Sequence, residues 1–135
     1  MRLESENNIS TDGSHLREEY TSVNWCNKLG GNNLRITFGK NFTDAEAIHV
    51  IEKWTEAFRQ RKGEEINLIW DCTSMQGYES DARTKWIKAL FKMRSQIGII
   101  WLITESPLIK IGATVMGVAT SLKIRKLSSE NELGI

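Results

Sequence analysis

Two short, almost wholly apolar runs limit the fold more than anything else in this chain: INLIW at 66–70 and IGIIWLIT at 97–104. Runs of that length without polar alternation suit strands covered on both faces, as in a parallel sheet. Parallel neighbours cannot be joined by a tight turn, so the chain between them must cross over, most often as a helix. Between the two runs, Ala82, Trp86, Leu90, Met93 and Ile97 recur at steps of three or four. That period predicts a helix over 81–96, stopped by Gly98.

The flanking sequence continues the alternation. Thr43 and Glu46 in TDAE have capping-box spacing, with the Thr43 hydroxyl accepting from the Glu46 amide and Glu46 reaching back. Ala47, Ile48, Ile51, Trp54, Thr55 and Phe58 then make one apolar helix face, and Gly63 stands as the C-cap. Ser106–Pro107 starts a third helix over 107–122, with Ser as cap and Pro in the first turn. Its small residues Gly112, Ala113, Gly117 and Ala119 are expected to let the backbone lie close to the sheet. Residues 123–127 read as a last strand, and Ser129 and Glu132 have the spacing to begin a final turn. At the other end, 17–26 reads as a strand, LGGNN as a turn, and LRITF as a strand with Leu34, Ile36 and Phe38 on one face. The expected architecture is α/β: an N-terminal hairpin, then αβαβαβ with right-handed crossovers on one mostly parallel sheet. Residues 1–14 read as a disordered tail and 15–135 as a single domain.

Several function classes are disfavoured at this level. The 135 residues carry a formal net charge of +1, so no broad field draws nucleic acid to the chain. The nearest thing to a basic cluster, Arg59–Arg61–Lys62, falls where a helix C-terminus attracts cations in any case. Cys26 and Cys72 are the only cysteines and have no metal-type spacing with His15 or His49, so no metal site is expected. The opening MRLESENNISTDGSH is polar, unlike a signal peptide, and no apolar run nears the roughly 18 residues of a transmembrane segment. A cytoplasmic protein with reduced thiols is expected. No cofactor is implied.

The segments IWDCTSMQGYESDARTKWIKALFKMR and IGIIWLITESPLIKIGATVMGVATSLKIRKLS together resemble the SpoIIAA-like group of bacterial domains. That group lies within the STAS (sulfate transporter and anti-sigma factor antagonist) fold. The resemblance spans about 20–127. It implies a domain that is not an enzyme and that binds a protein partner, in some members a regulatory kinase. In such members a serine at the start of the helix after the central strand accepts phosphate, within a pattern similar to D-L-S-x-x-x-x-x-D-S. Laid on this chain, Asp71 matches the strand-end acid, Thr73 stands at the first Ser, Glu79 at the second Asp and Ser80 at the acceptor. Glu79 and Asp81 depart from the pattern, and two flanking carboxylates would repel a phosphate. The SpoIIAA-like group is also compared with CRAL-TRIO lipid carriers, which adds an apolar small molecule as an alternative ligand.

Each residue also has a plainer role. Ser80 is placed to cap a helix. Asp71 and Thr73 can form an Asx turn at the strand end, and Gly77 can supply an unusual φ. The single Asp leaves DCT without the acid of a DxDxT phosphatase motif, and Cys72 has no His near it in sequence, so no catalytic residue is assigned. Trp70 and Trp101 are core residues unless register turns one outward beside Met75 or Met116. The third helix is apolar nearly all round. Ile109, Val115, Met116 and Val118 are its candidate surface, either for a homodimer mate or as the wall of a lipid-sized pocket.

Overall fold

The computed structural model describes residues 20–27 and 30–133. The tail expected over 1–14, and the beginning of the strand expected over 17–26, lie outside the described residues.

Strand β1 (Ser22–Trp25) pairs antiparallel with β2 (Asn33–Thr37), with Val23 opposite Ile36. Gly30 and Gly31, at φ 70° and 69°, lie in the connection as the LGGNN reading requires. A two-residue strand β3 (Asn41–Phe42) precedes helix α1 (Asp44–Gln60). Then come β4 (Ile66–Asp71), the equally short β5 (Gly77–Tyr78) and α2 (Ser80–Met93). A 3-10 turn (Arg94–Gln96) leads into β6 (Ile97–Ile103), followed by α3 (Pro107–Thr120), β7 (Lys123–Leu127) and a last 3-10 turn (Glu130–Leu133). The main sheet has the order β1-β2-β4-β6-β7, with every pair but the first parallel. The expected α/β architecture is therefore present. The pairing of β3 with β5 in a separate small sheet is an addition to it.

Local chemistry accounts for the helix starts. The Thr43 hydroxyl accepts from the Glu46 amide at 3.1 Å, as the capping-box spacing predicts. The return half is absent, because the Glu46 carboxylate takes the Thr21 hydroxyl at 2.9 Å instead. Ser106 caps α3 by accepting from the Ile109 amide at 3.3 Å, and Pro107 occupies the first turn. Arg61 is the C-cap of α1, its guanidinium lies 3.7 Å over the Trp25 ring, and Gly63 follows at φ 88°.

Gly98 does not stop α2; it is a strand residue beside a bulge. The β4–β6 register slips between Ile66 and Leu68, and the Asn67 side chain fills the gap by accepting from the Ile99 amide at 2.9 Å. A Cβ on Gly98 would stand 2.3 Å from that Asn67 oxygen. Glycine is there so that the side chain can complete the ladder.

All three described helices pack into one cluster on one face of the sheet. Leu34, Ile36, Leu68, Trp70, Ile100 and Leu102 meet Trp54, Trp86 and Ile109 there. Ile69 lies opposite Trp101 and Trp70 opposite Leu102, so the two tryptophans point to opposite faces. At the strand ends of the other face, the chain after β7 turns back far enough for Glu130 to pair with Arg35 on β2.

Candidate functional site: the strand-end loop and the third helix

Asp71 is the last residue of β4 and is buried. Its Oδ1 accepts the Thr73 amide at 3.1 Å and the Thr73 hydroxyl at 2.7 Å, which is the Asx turn expected from DCT. Its Oδ2 accepts from the Arg35 guanidinium at 2.6 Å. Burial alone would raise the carboxyl pKa. The hydrogen bonds from Thr73 and the bond and charge of Arg35 outweigh it and hold Asp71 below the usual carboxylate range. Both carboxylate oxygens are thus occupied. Cys72 beside it is buried, and burial, with the charge of Asp71, pushes its thiol far above the ordinary value. His49 is exposed on α1 and, among the described residues, makes no hydrogen bond to Asp71 or Cys72. This loop has neither a free base nor an activated nucleophile.

Ser80 does not cap α2. The helix begins one residue earlier than that reading: the Glu79 amide donates to the Phe42 carbonyl at 2.9 Å, Glu79 is the N-cap and Ser80 is the first helical residue. The Glu79 side chain makes no cap bond to α2 either. Its carboxylate instead accepts the Asp44 amide at 2.7 Å, at the N-terminus of α1. Asp44 in turn pairs with Lys85 of α2. Ser80 is exposed, and its carbonyl accepts the Thr84 hydroxyl at 3.0 Å. Gly77 has no positive φ; it is a strand residue of β5 paired with Asn41.

Beyond this loop, β4, α2 and α3 line a half-open apolar cavity of about 50 Å³. Trp70, Met75, Tyr78, Trp86, Ile109 and Met116 line it, with Arg83 beside them. Gly112 also borders the cavity, where a Cβ would come within 3.1 Å of the Tyr78 hydroxyl. Among the described residues, the ring nitrogens of Trp70 and Trp54 are both buried without a hydrogen-bond partner. Room for a few water-sized groups falls far short of the roughly 300–1,000 Å³ that a drug-sized ligand occupies. A shallower depression of about 330 Å³ lies between β1 and α1, rimmed by Glu52, Lys53, Glu56 and Gln60.

The four residues singled out on the third helix separate. Ile109 and Met116 face the cavity, whereas Val115 and Val118 face solvent at 53% and 79% exposure. Leu108 and Ile111, not singled out from the sequence, join the outward pair at 67% and 62%. Ala119 is exposed rather than packed on the sheet. The signal for Leu108 and Ile111 was present in the spacing, but a helix apolar on every side does not reveal which face is covered.

Among the described residues no helix is long and apolar enough to cross a membrane, and no group of three or more His, Cys, Asp or Glu could hold a metal ion. No family model and no curated protein matches the sequence. Among solved structures the chain is similar to an uncharacterized protein of the DUF3478 family, described as having a SpoIIAA-like fold, from Shewanella loihica PV-4. The TM-score is 0.72 at 14% identity, over 84% of this chain and 90% of that one. The SpoIIAA-like fold read from the strand, loop and helix pattern is therefore present in this chain.

Proposed function

We propose that this chain is a non-enzymatic binding module whose protein-docking surface is the outer face of α3. The observation that carries this is the run Leu108, Ile111, Val115 and Val118, each more than half exposed, on a helix whose one charged residue is Lys110. Covering such side chains stabilises by about 1.5–3 kcal/mol each when burial is complete, and contiguous exposed apolar surface of this kind marks interaction sites. The occupied oxygens of Asp71 and the buried thiol of Cys72 favour binding over catalysis. A photo-reactive residue in place of Val115, activated in the living cell, is expected to form a protein adduct that Ile111→Glu abolishes. Absence of any protein adduct would sink this reading.

Regulation by phosphate belongs to the same proposal. Ser80 is exposed, its hydroxyl makes no cap bond, and it stands in the first turn of α2, where free amides and the helix dipole favour an anion. Glu79, a charge that in sequence stands against a phosphate, has its carboxylate turned to the Asp44 amide. Asp71 and Thr73 shape the loop that leads there.

A second reading is favoured by the cavity: an apolar small molecule held between α2 and α3. Ile109 and Met116 would form its wall, with Met75, Trp70 and Trp86 beside them. A lipid chain would require α3 to move outward, because about 50 Å³ does not hold one. Native and intact mass spectra of protein from its own cells read both ideas. A phosphate mass lost in Ser80→Ala supports the switch, and a co-purifying apolar adduct supports the carrier. Spectra repeatedly free of either would remove both.

A further inference from the structure

The outward stripe on α3 runs at steps of three, four and three: Leu108, Ile111, Val115, Val118. Two full a/d pairs of a heptad have this spacing, the period at which one helix packs along another. We propose that the occupant of this face is a second copy of the same chain, with the two α3 helices antiparallel about a two-fold axis; this rests on the docking surface argued above and names its partner.

The spacing is self-complementary in that direction. With the axis between Ile111 and Val115, Leu108 meets Val118 of the second copy and Ile111 meets its Val115. All four side chains then pair with one another and none is left over, as an isologous interface requires. In each pair a longer side chain faces a shorter valine.

Charge selects the same direction. Glu105 is exposed just before the start of α3, and Lys123 is exposed just after its end. An antiparallel pair sets Glu105 across from Ser121, two residues from Lys123 of the second copy, at both ends. A parallel pair would set Glu105, Lys110 and Lys123 each against its own like and would align the two helix dipoles.

The area is adequate only with the rim. A patch of four such side chains is on the order of 400 Å², about half of the roughly 800 Å² that each partner of a stable complex contributes. The polar border of Glu105, Lys110, Thr114, Ser121 and Lys123 supplies the ring around it. A helix of this length, about 21 Å, spans the whole contact.

Light scattering on the full chain over a concentration series tests this. The expected mass is twice 15.4 kDa, falling toward one chain on dilution. Ile111→Glu should raise the dissociation constant by about thirtyfold or more, and Val118→Ser should weaken it in the same direction. Circular dichroism should show both variants folded, since the two positions are exposed. In a Cys26→Ser background, a mixture of Leu108→Cys and Val118→Cys chains should form the mixed disulfide, and neither chain should link efficiently to itself. Self-linking of each would overturn the antiparallel arrangement. A dimer indifferent to both surface variants would overturn the stripe as its interface. A monomer at every concentration would overturn the second copy as occupant. In that last case a Val115 photo-adduct with a different protein would leave the docking surface standing, and lack of any adduct would remove both.

Discussion

Replacing Trp86 with Ala is expected to lower the unfolding free energy by about 3–5 kcal/mol, a large part of the 5–15 kcal/mol that holds a small domain together. Trp86 is 3% exposed, and its ring meets four others. The centroid distances are 5.4 Å to Phe38, 5.4 Å to Phe42, 4.9 Å to Trp54 and 5.8 Å to Trp70. Those rings come from the residue just after β2, from β3, from α1 and from β4, so this side chain on α2 is where the sheet and two helices join. Truncation loses the transfer energy of the indole and leaves a hole that rigid neighbours cannot close. The hole would also merge with the cavity that Trp86 already lines. The urea midpoint should therefore fall sharply with little change in slope. Benzene should recover part of the loss in the variant and do nothing for the parent, because an empty apolar cavity of sufficient size takes such a probe. Phe91→Ala is the control: Phe91 is half exposed, with its ring under Arg94, and truncation there should cost within about 0.5 kcal/mol. Similar losses at Trp86 and Phe91 would refute the idea of an aromatic hub.

Much of this frame is legible in the sequence because it is set locally. The starts of α1 and α3 depend on Thr43 and on Ser106–Pro107, and each cap bond spans three residues. The strands over 66–71 and 97–103 show in composition alone. What escapes a local reading depends on partners far apart in the chain. Strands β3 and β5 have two residues each, too few to show any period, and exist because they pair with one another. That pairing moves the helix boundary from Ser80 to Glu79 and frees the Glu79 carboxylate to serve α1. The two faces of α3 could not be told apart beforehand for a different reason. Apolar residues occur all around it, so only the packing of Ile109 and Ala113 against the core reveals that Leu108 and Ile111 point away. The SpoIIAA-like likeness survived these shifts because it rests on element order, which long-range pairing does not alter.

Arg35→Met should cost about 1–3 kcal/mol at neutral pH and should change how the fold responds to acid. Arg35 bridges Asp71 at the end of β4 and Glu130 in the segment after β7, over a separation no local signal marks. Its side chain and that of Asp71 are 20% and 12% exposed, so the pair is shielded from solvent more than a surface bridge is. Methionine keeps most of the apolar stem and removes the charge, leaving Asp71 buried with only Thr73 to satisfy it. The sign of the pH effect follows from the native shift. Asp71 has a folded pKa below its ordinary value of 3.8, so its contribution is present above that value and is lost as pH falls through the folded pKa. Without Arg35 the lowering contributions shrink while burial still raises the pKa. The acid-side loss assignable to Asp71 should then flatten or reverse, with variant and parent converging at low pH. Asp71→Asn should behave alike at low pH, since both then carry an uncharged group at the strand end. Glu130→Gln should cost less, because that carboxylate is 48% exposed. Denaturant midpoints at a series of pH values read these differences, and hydrogen exchange should rise at residues 128–133 once their tie to β2 is gone. A constant gap between Arg35→Met and parent at every pH would show that the guanidinium acts here through packing and not through its charge.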